Sequence, residues 1–249
     1  LTQRGITTSA FGLGRDFDED LLGALATAGG GTLAHIESPR HLPELYSSEL
    51  NGLAETFGSN VSICIRTKHG AELVDVLNDL PRTGTDQCQL PDLHYGQEFS
   101  VGVRLEVPAW IPNQEITSVH LAWDDANQQD RQELTRSLTL PVKPTAELLA
   151  LPPDLAVAEQ LALLRANRDR RRAIEALDAG EQNSAKEILQ SIDRSLEELP
   201  QSEAIIRDRH LLDQALKLLK VDENLSRKKL RTQSLRSSLN VYGEIHETD

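Results

Sequence analysis

Hydrophobic periodicity changes twice along this chain of 249 residues, and those changes restrict the fold more than any single motif does. Over residues 1–58, short β-prone runs alternate with helical stripes. "ITTSAF" (residues 6–11) reads as a strand, ended by Gly12 and Gly14. A helix follows, with Phe17, Leu21, Leu22, Leu25 and Ala26 on its stripe; Asp16 is its predicted N-cap, with Glu19 three residues later as in a capping box. Gly29 to Gly31 stop it. "TLAHIES" reads as a second strand and "PRHLPELYSSELNGLAETF" as a second helix. Strand, helix, strand, helix predicts a parallel α/β layer, and two strands are too few to make a stable sheet alone. The segment therefore reads as the tail end of a larger α/β domain.

Over residues 59–143 the period drops to two. Val61, Ile63 and Ile65 alternate with polar neighbours, as do Phe99, Val101, Val103, Leu105 and Val107, then Val119, Leu121 and Trp123, then Leu134, Leu138 and Leu140. Turn residues separate these runs, which predicts an antiparallel β-sandwich with half-buried faces. Pro141, Pro144, Pro152 and Pro153 mark a joint, because proline continues neither a strand nor a helix interior. Residues 144–249 then read as a helical hairpin or small bundle. Asp154 caps a long helix, Ala185 to Leu196 lie on a second, Ser202 opens a third, and Leu225 to Leu239 mark a weaker fourth. The expected fold class is thus mixed α/β and β, with helices at the end.

Charge limits the partners. The formal net charge is −13, which opposes general binding to nucleic acid or to anionic membranes. No apolar run approaches bilayer length and no signal peptide opens the chain, so the expected compartment is the cytoplasm, with an extracytoplasmic one left open. The chain contains no methionine, as in a processed or partial product. Cys64 and Cys88 form no metal-ligand pair; free thiols in a reducing compartment are the expected state, with one disulfide between them as the alternative because both fall in predicted strands.

The acidic run "DFDED" beside Gly12 and Gly14 invites two site readings. A phosphate cradle is opposed by Asp16, Asp18, Glu19 and Asp20 and by the missing third glycine of the dinucleotide fingerprint. A calcium loop would need glycine at its sixth position, where Leu21 stands. A capped, dipole-matched helix start accounts for these residues. No histidine sits at metal-ligand spacing and no serine in a nucleophile elbow, so no catalytic, cofactor-binding or metal-binding residue is assigned and the chain is expected not to be an enzyme. The remaining candidate is a partner-contact patch on the first long helix, made of Arg165, Arg168, Arg170, Arg171 and Arg172. A second basic cluster holds Arg227, Lys228, Lys229, Arg231 and Arg236. At this net charge a solvated helix face paired with neighbouring acids such as Glu175, Asp193 and Glu197 is the preferred account of both clusters.

In order and spacing, several segments resemble the C-terminal end of a bacterial von Willebrand factor type A domain. They are the strand from Ile6 to Gly14, the acidic "DFDEDLL" helix, the glycine cluster, the edge strand ending in "IESP", and "LPELYSSEL" in the last helix. The resemblance implies a β-rich region and helices after the type A layer. It implies a non-enzymatic protein-binding or scaffolding role with another protein as partner; a hydrolase with a dispersed site, drawing on His35, His94 or His120, and a regulatory partner of an ATPase are the alternatives. The family's metal site uses Asp-x-Ser-x-Ser, which is not in this sequence; the nearest string is Asp193, Ser195 and Glu197 in a predicted helix. No metal ligand is carried over, and Mg2+ is expected only in a complete type A domain.

Overall fold

The computed structural model describes residues 7–14, 16–36, 38–108, 114–125, 130–140 and 143–239. The predicted first strand therefore begins, at Ile6, outside the described residues. Two compact units form: Leu1–Ala54 together with Leu155–Asp249, and Glu55–Asp154. The first and last stretches of the sequence thus share one unit, and the middle stretch makes the other.

In the first unit, β1 (Thr8–Leu13) and β2 (Gly30–Ile36) pair in parallel, with Ala10 opposite Leu33 and Leu13 opposite Ile36. Parallel neighbours need a crossover, and α1 (Glu19–Ala28) supplies it. The glycine cluster is what lets β2 begin so close to β1. A Cβ on Gly31 would collide with the Thr8 carbonyl, and one on Gly29 would lie 2.5 Å from Thr8 Cβ. Gly12 answers a similar demand, because the Phe17 ring occupies the space its side chain would take. The helix cap differs from expectation. Asp18, not Asp16, is the N-cap, and its Oδ1 accepts from the amides of Asp20 (3.0 Å) and Leu21 (2.9 Å). The helix starts at Glu19, which leaves Asp16 outside the first turn.

Both faces of this two-stranded layer are covered. On one, Ala10, Ala26 and Leu33 pack with Leu22 and Leu235. On the other, Ala34, Ile36 and Leu45 pack with Phe11 and Leu42, the last two of these leucines belonging to α2 (Leu42–Glu55). Four helices complete the unit: α4 (Leu155–Asp178), α5 (Gln182–Glu197), α6 (Glu203–Leu219) and α7 (Glu223–Leu239). Between α4 and α5 the chain turns at Gly180, whose φ of 77° suits glycine. Ser202 caps α6 as expected, accepting from the Ile205 amide at 3.2 Å. The bundle core includes Ala173, Leu189, Ile205, Leu212 and Leu230, all fully buried. Helix α7 bridges two cores. Its Leu230 sits in the bundle, while its Leu235 packs on the β/α layer.

The second unit is built on β3 (Thr56–Thr67). One sheet runs β5 (Gln87–Gln89), β3, β8 (Glu115–Asp125), β9 (Arg131–Thr139), and β6 (Leu93–His94) also pairs with β3. A two-stranded sheet of β4 (Glu72–Val76) and β7 (Val103–Glu106) is the other; the short helix α3 (Thr145–Ala150) follows them in the chain. Val61, Ile63, Ile65, Cys88 and Leu90 of the larger sheet's region pack with Leu73 and Val76 of the smaller, so the two layers share a core. One expectation is corrected here, and one open alternative is closed. The long predicted strand around Phe99 is a ladder only over β7. Before it, the Asn78 amide takes the place of a strand neighbour: Nδ2 donates to the Ser100 carbonyl (2.7 Å) and Oδ1 accepts from the Gly102 amide (2.9 Å). The disulfide is excluded. Cys88 lies opposite Ile63 and faces the core, whereas Cys64, one residue on, points to the other face; both are free.

Because Leu230 is fully buried between helices, Leu230→Ala is expected to destabilise the chain by about 2–5 kcal/mol. Equilibrium urea unfolding measures this, and the midpoint should fall without a large change in slope.

Candidate functional site

The acidic start and the basic tail, separated by two hundred residues of sequence, meet. Glu19 is buried at 4% exposure on α1. Its two oxygens accept from Arg227 (2.5 Å) and Lys228 (2.9 Å) of α7. Arg227 also reaches Asp178 at the end of α4, and Arg231 pairs with Asp20. Lys228 donates in addition to the Phe17 carbonyl and lies 4.0 Å from the centre of the Phe17 ring. Burial alone pushes the Glu19 carboxyl up. The Lys228 hydrogen bond, Glu19's own amide and the charges of Arg227 and Lys228 outweigh it and hold the group below its ordinary value. The "DFDED" run is therefore part of a clasp within the unit. The side chain of Arg236 lies outside the described residues.

The predicted arginine patch does not form one surface. Arg170 is fully buried and paired with Asp208, whose other oxygen faces Gln233 at 3.4 Å. Arg171 is half-buried, with Nε donating to Ser234 Oγ at 3.3 Å. Arg168 is half-buried; Arg165 and Arg172 are exposed, and Arg172 pairs with Asp169 at 3.1 Å. The helical repeat places residues 167, 170, 171 and 174 toward the bundle, so a run dense in arginine cannot lie wholly on a solvated face.

The histidines are held in different places. The His35 ring contacts the Gly14 carbonyl at 2.8 Å and lies 5.4 Å from the Phe17 ring at a tilt of 49°. His94 bonds Thr56 Oγ1 at 2.9 Å. His120 bonds Glu133 at 3.2 Å, while Asp124 of the same strand takes Asn60 and Arg131 instead. The string Asp193, Ser195, Glu197 does not fit a metal loop. It lies within α5, with Asp193 bound to Arg209 (2.8 Å) and Ser195 donating to the Ser191 carbonyl (2.9 Å). Among the described residues, no group of three or more His, Cys, Asp or Glu side chains is placed to hold a metal ion, and no helix is long and apolar enough to cross a membrane.

What remains as a surface is the flank of the β/α layer, which the sequence did not single out. Among the described residues, β1 has β2 as its one strand neighbour. On α1, Gly23 faces Arg231 and Leu235 of α7. Leu21 and Leu25, one turn apart, lie on the flank away from α7 and are 57% and 49% exposed. Over the other face of the layer, α2 exposes Tyr46 and Leu50. Exposed apolar side chains on both covering helices make this flank an apolar surface. In the second unit, β9 is an outer strand that exposes Leu134 and Leu138 but also carries Arg131, Glu133 and Arg136, charges that discourage strand addition.

No protein-family model and no curated protein matches this chain. Solved structures do. The ArnB paralog VWA2 from Sulfolobus acidocaldarius is similar at 18% identity and a TM-score of 0.56, over 92% of this chain and 55% of that one. A von Willebrand factor type A protein from Catenulispora acidiphila is similar at 15% identity and a TM-score of 0.60, over 95% and 59%. The human COPII-coat protein Sec24c is similar at 14% identity and 0.56, over 96% of this chain and 34% of that one. The chain thus spans a little over half the length of the first two. At these identities the likeness is one of fold, and the fold is type A-like with a helical C-terminal part.

The clasp has a pH signature. Glu19 titrates lower in the folded chain than in the unfolded one, so its pairing contributes fully above the unfolded value of about 4.5 and is lost as pH falls through the lower folded value. Glu19→Gln should abolish that part of the acid slope and destabilise the chain at neutral pH by roughly 3 kcal/mol, as expected when one partner of a buried pair is removed. Urea midpoints measured from neutral pH down to acid compare the two proteins.

Proposed function

We propose that this chain is the C-terminal part of a bacterial von Willebrand factor type A-domain protein, acting without catalysis as a protein-binding or scaffolding module. The observation that carries the reading is the apolar flank of exposed Leu21 and Leu25, with Tyr46 and Leu50 on the opposite face, on a layer of two strands among the described residues. Further β/α units laid against β1 would pair its edge and cover those side chains, turning a two-stranded layer into a sheet of ordinary size. The type A-like fold supports the reading, because the neighbours that share it are longer chains.

In this proposal the occupant of the flank is the remainder of a type A layer, and Mg2+ binding belongs to that remainder. The helical bundle and the outer strand β9 then contact a separate protein partner, in the cytoplasm. Neither nucleic acid nor a membrane is the partner, given the formal net charge of −13.

The experiment is co-expression of this chain with the missing β/α units of a type A domain as a second polypeptide. A stable complex is expected on size-exclusion chromatography. Leu21→Glu with Leu25→Glu should weaken it at least about a hundredfold, as for apolar anchors at an interface centre, while leaving helical circular dichroism unchanged. No complex, together with turnover of an ester, peptide or phosphate substrate by the purified chain, overturns the proposal in favour of a hydrolase.

A further inference from the structure

The outer face of the larger sheet in the second unit brings three chemically matched side chains into one row. Cys64 on β3 lies directly opposite His120 on β8. Residues so paired have their Cβ atoms about 5 Å apart and share a face. On the far side of His120, Nε2 bonds the Glu133 carboxylate of β9 at 3.2 Å. An ionised Glu133 makes Nε2 the donor, so in the neutral ring Nδ1 is left as the acceptor. Thiol, imidazole and carboxylate thus stand in the order nucleophile, base, orienting group.

A cation stands on the same face. Arg66, two residues along β3 on the same face, is exposed and cationic. From β5 the residue opposite Cys64 is Gln87, which is uncharged. From β8 the facing group is His120; Asp124, further along, is engaged by Arg131 at 2.7 Å. From β9 it is Glu133. Cys64 is half-buried, open to a small reagent, whereas Cys88 is turned into the core at 9% exposure and serves as an internal control.

We propose that Cys64 is a modification site for small disulfides, with His120 positioning and accepting its proton and Glu133 orienting His120. In the exchange the Cys64 thiol gives its proton to His120 Nδ1 and the thiolate sulfur attacks one sulfur of the disulfide. The old S–S bond breaks as the mixed S–S bond forms, and the departing thiolate takes the proton from the imidazolium. No other oxidant is needed.

The test measures the rate of mixed-disulfide formation with glutathione disulfide on the folded 249-residue chain, by intact mass and peptide mapping, with iodoacetamide as a second probe. In the wild type, Cys64 should react and Cys88 should not. His120→Gln should slow Cys64 by about tenfold at neutral pH and change the shape of its rate–pH profile, which a purely structural role for His120 would leave unaltered. Glu133→Gln, at a position with 63% side-chain exposure where refolding is not at stake, should give an intermediate loss. Rates and pH profiles unchanged by both substitutions, or a Cys64 that reacts only in urea, overturn the proposal.

Discussion

Everything in the first unit depends on Glu19 being held between Arg227 and Lys228. A carboxylate buried on a helix facing a sheet is tolerable only if cations come to it, because an isolated buried charge is far too unfavourable. The cations sit on α7, and their pairing with Glu19 fixes where that helix meets the layer. Once there, Leu230 and Leu235 fill two cores that would otherwise be separate. Ion pairing specifies where α7 goes, and apolar packing supplies most of the stability. Neither alone explains why the beginning and the end of the sequence form one body.

Much of the local structure is legible in the residues, since period 3.6 and period 2 are direct readouts of which faces are buried. The four late helices, the β3, β8 and β9 strands, and the parallel β1–β2 pair follow the apolar pattern. What is not legible is the long-range pairing. Nothing in "DFDED" or "RKKL" taken separately says that each is the other's counter-ion. The cap falls on Asp18 because the helix starts one turn later than the first acid, and such boundaries are the weakest feature of any pattern. Phe99 and Val101 alternate like a strand, yet the Asn78 amide satisfies the backbone there, and a side chain that imitates a strand neighbour leaves no periodic trace. Arg170 looks like a surface residue and is buried, because its partner Asp208 is thirty-eight residues away on another helix.

The candidate surface was invisible for a related reason. Leu21 and Leu25 belong to a helical stripe that reads as core, and they are core-like in every respect except that nothing in the described chain covers them. In the proposed reading, this exposed apolar flank is covered by further β/α units, with apolar side chains facing Leu21, Leu25, Tyr46 and Leu50. The outer strand β9 is the contrasting case, where charges at Arg131, Glu133 and Arg136 guard the edge.

The two-part composition of the first unit also bears on how the molecule comes into being. The β/α layer leaves the ribosome early, while α7 emerges only after the entire second unit has been synthesised. Until then Glu19 has no counter-ions, and the face that Leu235 will seal stays wet. Closing that unit requires bringing together segments about two hundred residues apart, a long-range step that is intrinsically slow. The second unit, contiguous in sequence, needs no such long-range closure.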